Sequence, residues 1–180
     1  MPWDDDLDAQ VSNHTLAWMA RHLNGTEHAV NVSVPRAADA AADSGGRSGT
    51  SSPPPLREKT YLLDVNPYHA EAGPGDAANV IDARWIDTEN GMFVDITGVR
   101  QREGDGPGPA LWSCKNHHRY AGQDLWPLRT TEFEGVEARV PYSVENILRQ
   151  EYGDASLVLE EFEGHRWDYD LKKWIKMEDS

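Results

Sequence analysis

The sequence predicts an α+β fold, and three observations carry that expectation. Leu7, Ala9 and Val11 alternate with Asp6, Asp8 and Gln10 at the period of a half-buried strand. Asn90-Gly91, a strong hairpin signal, joins two apolar runs over residues 80–86 and 92–96. Two further segments place apolar residues at helical spacing, each behind a serine suited to capping a helix. An all-helical chain is excluded.

Taken in order, the first strand runs into Ser12, which caps a helix carrying Leu16, Met19, Ala20 and Leu23 and ending near Gly25. Tyr61-Leu-Leu-Asp-Val65 reads as a strand, followed by the two joined through Asn90-Gly91. Residues 132–140 fit either a second hairpin or one bent strand. Pro127 is expected to fix the backbone where Leu125 and Leu128 turn inward. Beyond Pro141, Ser143 caps a helix with Val144, Ile147 and Leu148, closed by Gly153. Phe162, Trp167, Trp174 and Ile175 are expected to dock the tail on the core.

A single domain over residues 1–180 is expected, interrupted by a disordered insertion at 36–59 that holds almost no large apolar side chain. Residues 70–78 and 103–109 read as flexible loops. Leu, Ile, Val and Phe make up 33 of the 180 residues, which is marginal for a folded chain until the insertion is set aside. The net charge of −14 argues against nucleic acid as a partner, because phosphates would be repelled. No apolar run is long enough to span a bilayer, and the acidic start does not read as a signal peptide, so the chain as written is expected to be soluble. One cysteine, Cys114, excludes an internal disulfide framework.

Chemistry concentrates in Trp3-Asp-Asp-Asp-Leu-Asp8. In an extended strand Asp4, Asp6 and Asp8 project from one face, and like charges at that spacing repel unless a cation neutralises them. Such hard oxygen donors suit Mg²⁺ or Mn²⁺. Asp95, set among apolar strand formers, would add a third carboxylate if its strand lies beside the first, giving a minimal site for metal-assisted transfer at a phosphate. Lys115, His117, His118 and Arg119 form the densest basic cluster and are candidate phosphate or sugar contacts, with Arg84 able to reach the same pocket. Zinc at Cys114, His117 and His118 lacks a fourth ligand at ordinary spacing.

Pro2-Trp-Asp-Asp-Asp-Leu-Asp8 resembles the aspartate motif of the LicD/fukutin/fukutin-related nucleotidyltransferase-fold family, and Gly91-Met-Phe-Val-Asp-Ile-Thr97 resembles its later apolar-Asp-apolar strand. Asp124-Leu-Trp-Pro-Leu128, Phe133-Glu-Gly135, Val140-Pro141 and Ile147-Leu-Arg-Gln-Glu-Tyr-Gly153 follow in the family's order. Ala83-Arg-Trp-Ile-Asp87, Cys114-Lys-Asn-His-His-Arg-Tyr120 and Phe162-Glu-Gly-His-Arg-Trp167 look most like a fungal branch associated with mannosylphosphate transfer to cell-wall glycans. The resemblance implies a polymerase-β-like mixed sheet with flanking helices. It implies transfer of a phospho-sugar or phospho-alcohol from a nucleotide-activated donor to a glycan acceptor, in the Golgi or secretory pathway. Asp6 and Asp8 match the family's metal pair and Asp95 its third carboxylate and candidate general base, with Asp4 an outer ligand. The family's glycine-containing segment before this motif has no counterpart here, so the domain is expected to be N-terminally incomplete, which bears on its activity.

Two other readings compete. An Asp-x-Asp glycosyltransferase would use the same aspartates on a nucleotide-sugar, although the downstream motif order disfavours it. A non-catalytic cation- or glycan-binding accessory protein is the reading from another class. Sequons at Asn13, Asn24 and Asn31 agree with a secretory-pathway ancestor.

Overall fold

The alternating run near the start forms β1 (Leu7–Ser12), and Ser12 ends it by capping α1 (Asn13–His22): its hydroxyl accepts from the Thr15 N–H at 3.0 Å. The computed structural model describes residues 7–34, 55–71, 79–102, 110–133 and 136–177. Asp4 and Asp6 therefore lie outside the described residues, as do most of the expected insertion and nearly all of the two expected loops. After α1 come β2 (Thr26–Ser33), β3 (Leu56–Val65), β4 (Ala83–Asp87), β5 (Phe93–Gln101), β6 (Leu111–Ser113) and β7 (Arg119–Ala121). These strands pair in the order β2-β3-β4-β5-β6-β7 by antiparallel ladders, and β1 adds to β5 in parallel. The result is a mixed, strand-rich sheet, which agrees with the α+β expectation at the level of class.

Register sorts the side chains of this sheet. Val65, Ala83, Ile96 and Ala9 are successive partners across β3, β4, β5 and β1. Because side chains alternate along each strand, they share one face. There they meet α1: Leu16 has no solvent exposure and packs with Leu63, Val65, Ala83 and Ile96, while Met19, Ala20 and Leu23 close the rim. Gly98 lets the helix sit this low, since a Cβ at that position would lie 2.8 Å from Leu16 Cδ2 and 3.1 Å from Asn13 Oδ1. The opposite face carries a second cluster of Val99, Tyr120, Leu125 and Ile147 beside Trp112. It is supplied by the sheet, by α2 (Gly122–Leu125) and by α3 (Val144–Tyr152).

Several expectations need correcting. Strand β3 begins at Leu56, inside the segment read as an insertion, because Leu56–Lys59 find partners along β2. Strand β2 was not foreseen; its outer position leaves many of its side chains exposed, so it shows no apolar stripe. The Asn90-Gly91 signal does lie in the connection between β4 and β5, residues 88–92, where Asp87 N–H donates to Met92 O and Gly91 takes a φ of +76°. Strands β8 (Arg129–Phe133) and β9 (Val136–Val140) pair antiparallel, as a hairpin rather than one bent strand requires. Leu125 is buried but Leu128 is exposed, so Pro127 turns only one of them inward. Ser143 precedes α3 without a side-chain cap bond. The tail pairs as a separate three-stranded sheet of β10 (Glu161–Phe162), β11 (His165–Asp168) and β12 (Lys173–Lys176), with Trp167 against Trp174.

One ion pair on this sheet titrates. The Lys59 ammonium donates to Asp87 Oδ2, and Asp87 is almost buried. That hydrogen bond holds the Asp87 carboxyl below its ordinary value of 3.8 and the Lys59 ammonium above its ordinary 10.5. The pair's contribution is fully present between those two ordinary values. It is lost as pH falls through the lowered Asp87 value, and again as pH rises through the raised Lys59 value. Melting curves of the parent and of Asp87→Asn are expected to differ near neutrality and to converge toward both extremes. A constant difference at every pH would contradict this.

Candidate functional site

The row next to the apolar one carries the polar chemistry. Asp64 on β3 pairs with Arg84 on β4, Arg84 with Asp95 on β5, and Asp95 with Asp8 on β1. All four share the face opposite α1. Neighbouring strands lie about 4.8 Å apart, so the Asp8 and Asp95 backbones are immediate neighbours. Asp95 is buried, whereas Asp8, Asp64 and Arg84 are exposed. Arg84 Nε donates to Asp95 Oδ1 at 2.7 Å, and its guanidinium carbon lies 4.3 Å from the centre of the Phe93 ring. Phe93 thus holds the cation by its ring face while Asp95 holds it by charge. Among the described residues, this row sets the carboxylates of Asp8, Asp64 and Asp95 beside the Arg84 guanidinium, in a chain of net charge −14. Carboxylate oxygens are hard donors of the kind a divalent cation takes. Among the described residues, no three His, Cys, Asp or Glu side chains gather at a single point.

Beside Asp64 and Arg84 opens a depression of about 500 Å³, also lined by Asn66, Pro67, Tyr68, Asn79, Ile81 and Ala83. Its walls are the segment leaving β3 and the segment entering β4. Asn66 shapes the first: its Oδ1 accepts from the Tyr68 N–H at 2.8 Å and its Nδ2 donates to Ile81 O at 3.1 Å.

The basic cluster is divided by the fold. Lys115 turns inward: its ammonium lies 2.9 Å from Asp82 Oδ1 and donates to Tyr68 O at 2.5 Å, with both charged side chains almost fully buried. The other Asp82 oxygen accepts the Gly98 N–H at 2.7 Å. Lys115 therefore ties the β6–β7 turn to the depression's wall, and its ammonium is committed to protein partners. His117 is exposed with a φ of 62°, and Arg119 is exposed on β7. His118 Nδ1 lies 3.4 Å from Glu151 Oε1. Glu151 also accepts the Tyr120 hydroxyl at 2.6 Å, and Gln10 Nε2 donates to the same hydroxyl at 3.0 Å. Burial, followed by the Glu151 contact, pushes the Tyr120 phenol well above its ordinary range. So the fold joins Asp8, Arg84 and Asp95, places His118 in a network reaching β1 through Gln10, and separates Lys115 from open surface.

Asp64, Asp82 and Tyr120 were not singled out from sequence. Asp64 and Asp82 did carry a usable signal, since Leu63-Asp-Val65 and Ile81-Asp-Ala83 repeat the apolar-Asp-apolar pattern of Val94-Asp-Ile96. Among the described residues, no helix is long and apolar enough to cross a membrane.

Comparison with known proteins finds local similarity. The chain is 30% identical over 98 residues, 54% of its length, to mannosyltransferase regulator 4 of Saccharomyces cerevisiae, and 30% identical, also over 98 residues, to mannosyltransferase regulator 14 of that yeast. No family profile and no solved structure matches the chain. The aligned stretch covers only 6% of the first relative and 8% of the second, so the similarity is to a small part of each.

Proposed function

We propose that this chain is a metal-dependent phosphotransferase domain acting in glycan mannosylation. It would move a phospho-sugar or phospho-alcohol from a nucleotide-activated donor to a glycan hydroxyl. The observation that carries this reading is the in-register pairing of Asp8 with Asp95 on neighbouring parallel strands, with both carboxylates on one face. The names of the two yeast relatives support the link to mannosylation. Asp8 and Asp95, with Asp4 and Asp6 from the segment outside the described residues, would hold Mg²⁺ or Mn²⁺. Once bound, that ion would neutralise charge developing on the transferred phosphoryl group and the leaving nucleotide. Arg84 orients Asp95 through its Nε. His117, His118 and Arg119 are the basic groups left to contact donor or acceptor, whereas Lys115 orders the neighbouring wall.

The word "regulator" in both relatives' names favours one second reading, a non-catalytic accessory domain that binds a cation or glycan at the same row. Calorimetry separates the two. For the transferase reading, Mn²⁺ and a nucleoside diphosphate sugar are expected to bind cooperatively. Asp8→Asn and Asp95→Asn should each weaken Mn²⁺ binding by about tenfold or more, as expected for loss of a charged contact. Metal binding that never enhances nucleotide binding would support the accessory reading. Unchanged nucleotide and Mn²⁺ binding in the double variant would overturn the site.

A further inference from the structure

The depression beside the carboxylate row has a chemistry of its own. Among the described residues that line it, the guanidinium is that of Arg84, already offset by Asp95 at 2.7 Å, and Asp64 adds a further carboxylate on the same face. In a chain of net charge −14, such a basin repels a phosphate or diphosphate. What it offers is a carboxylate acceptor, a guanidinium side chain that stays 45% exposed, and the partly exposed Tyr68 ring. An acceptor and a planar donor on neighbouring strands suit vicinal hydroxyls, one donating and one accepting. An aromatic ring supplies an apolar surface for the C–H face of a sugar.

The walls are also held in place before any ligand arrives. Tyr68 N–H is bound by Asn66 Oδ1, and Tyr68 O accepts from both the Lys115 ammonium and the Glu71 N–H. Lys115 is in turn fixed by Asp82, whose other oxygen is bound to Gly98. A buried ion pair thus sets the backbone position of the Tyr68 wall, which lowers the ordering cost of binding. A volume of about 500 Å³ falls within the range of small-ligand sites.

We propose that this depression is a subsite for a neutral pyranose, with Asp64 and Arg84 meeting adjacent hydroxyls and Tyr68 lying against the ring. The subsite's place next to Asp95, one strand from Arg84, would present a sugar hydroxyl to the metal row. Its identity as the acceptor position rests on the transferase reading, whereas sugar binding does not.

The test is amide-resolved NMR on the full 180-residue chain without metal, titrated separately with methyl α-mannopyranoside, methyl α-glucopyranoside and inorganic phosphate. At least one glycoside is expected to shift the amides of Asp64, Tyr68 and Arg84, with a dissociation constant on the order of 1 mM, while phosphate leaves them in place. Asp64→Asn and Tyr68→Ala should each weaken the glycoside by about tenfold, the scale of one lost polar or stacking contact. Tyr68→Phe, which retains the ring, should bind as the parent does. Phosphate shifting these amides, or neither glycoside doing so, would overturn the proposal, as would equal affinity in all three variants. Adding Mn²⁺ distinguishes the two readings. Metal broadening at Asp8 and Asp95 with no glycoside response fails the subsite alone, and a glycoside response without that broadening fails the transferase alone.

Discussion

Lys115→Met is expected to destabilise the fold by about 3–5 kcal/mol, the scale for removing one partner of a buried ion pair. Asp82 is 1% exposed and Lys115 9% exposed, so methionine would leave a carboxylate in the interior with, among the described residues, the Gly98 N–H opposite it. The contact between the ammonium and Asp82 Oδ1 is ionic rather than a well-directed hydrogen bond, so the loss is one of charge compensation. Three segments meet at this pair: the β6–β7 turn, the entry to β4 and, through the Tyr68 carbonyl, the segment after β3. Since a domain's whole stability is of order 5–15 kcal/mol, the single variant could leave little folded protein. The double variant Lys115→Met/Asp82→Asn therefore decides the matter. It removes both charges and keeps an oxygen for Gly98, so it should recover most of the loss. Denaturant titration reads both, and a double variant no more stable than the single one would contradict the assignment.

Leu16→Ala comes next in size, at about 2–5 kcal/mol for a fully buried leucine. Leu16 is the side chain through which α1 seats on the sheet, against Leu63, Val65, Ala83 and Ile96. The cavity would open above Gly98, where a Cβ would lie only 2.8 Å from Leu16 Cδ2, so helix and strand are already in close approach. Partial collapse is therefore limited, and the upper half of the range is expected. For a chain of this size each kcal/mol lowers the melting temperature by about 2–4 °C, so thermal unfolding measures the loss directly. A shift of under 2 °C would mean that α1 contributes little to the fold.

Local chemistry was the part most readable from sequence. Ser12 announced the start of α1, and the alternation of Leu7, Ala9 and Val11 announced β1, because capping and period-two patterning act over a few residues. Gly153 marked the end of α3, where a φ of +80° suits glycine. Long-range register was less accessible. That Asp8 faces Asp95 required β1 to pair in parallel with β5, a choice that no local pattern determines, although the motif order pointed there. That Arg84 lies between Asp64 and Asp95 follows from two antiparallel ladders. Lys115 shows the limit most clearly. In the sequence it belongs to a basic run with His117, His118 and Arg119, yet its partner Asp82 lies 33 positions away and draws it inward. Strand β2 stayed hidden for a related reason. Its partner β3 lies across a long composition-biased stretch, and pairing rather than apolar content stabilises it.

The central claim is that the carboxylates of β1 and β5 act as one cation site. Paramagnetic relaxation by Mn²⁺ at substoichiometric concentration tests it most directly, read at every assigned amide. The account expects the amides of Asp8 and Asp95 to broaden first and together, with Arg84 close behind, and expects Asp95→Asn to abolish the effect at Asp8 as well. Broadening that begins elsewhere on the acidic surface, or that persists at Asp8 when Asp95 is neutral, would contradict it.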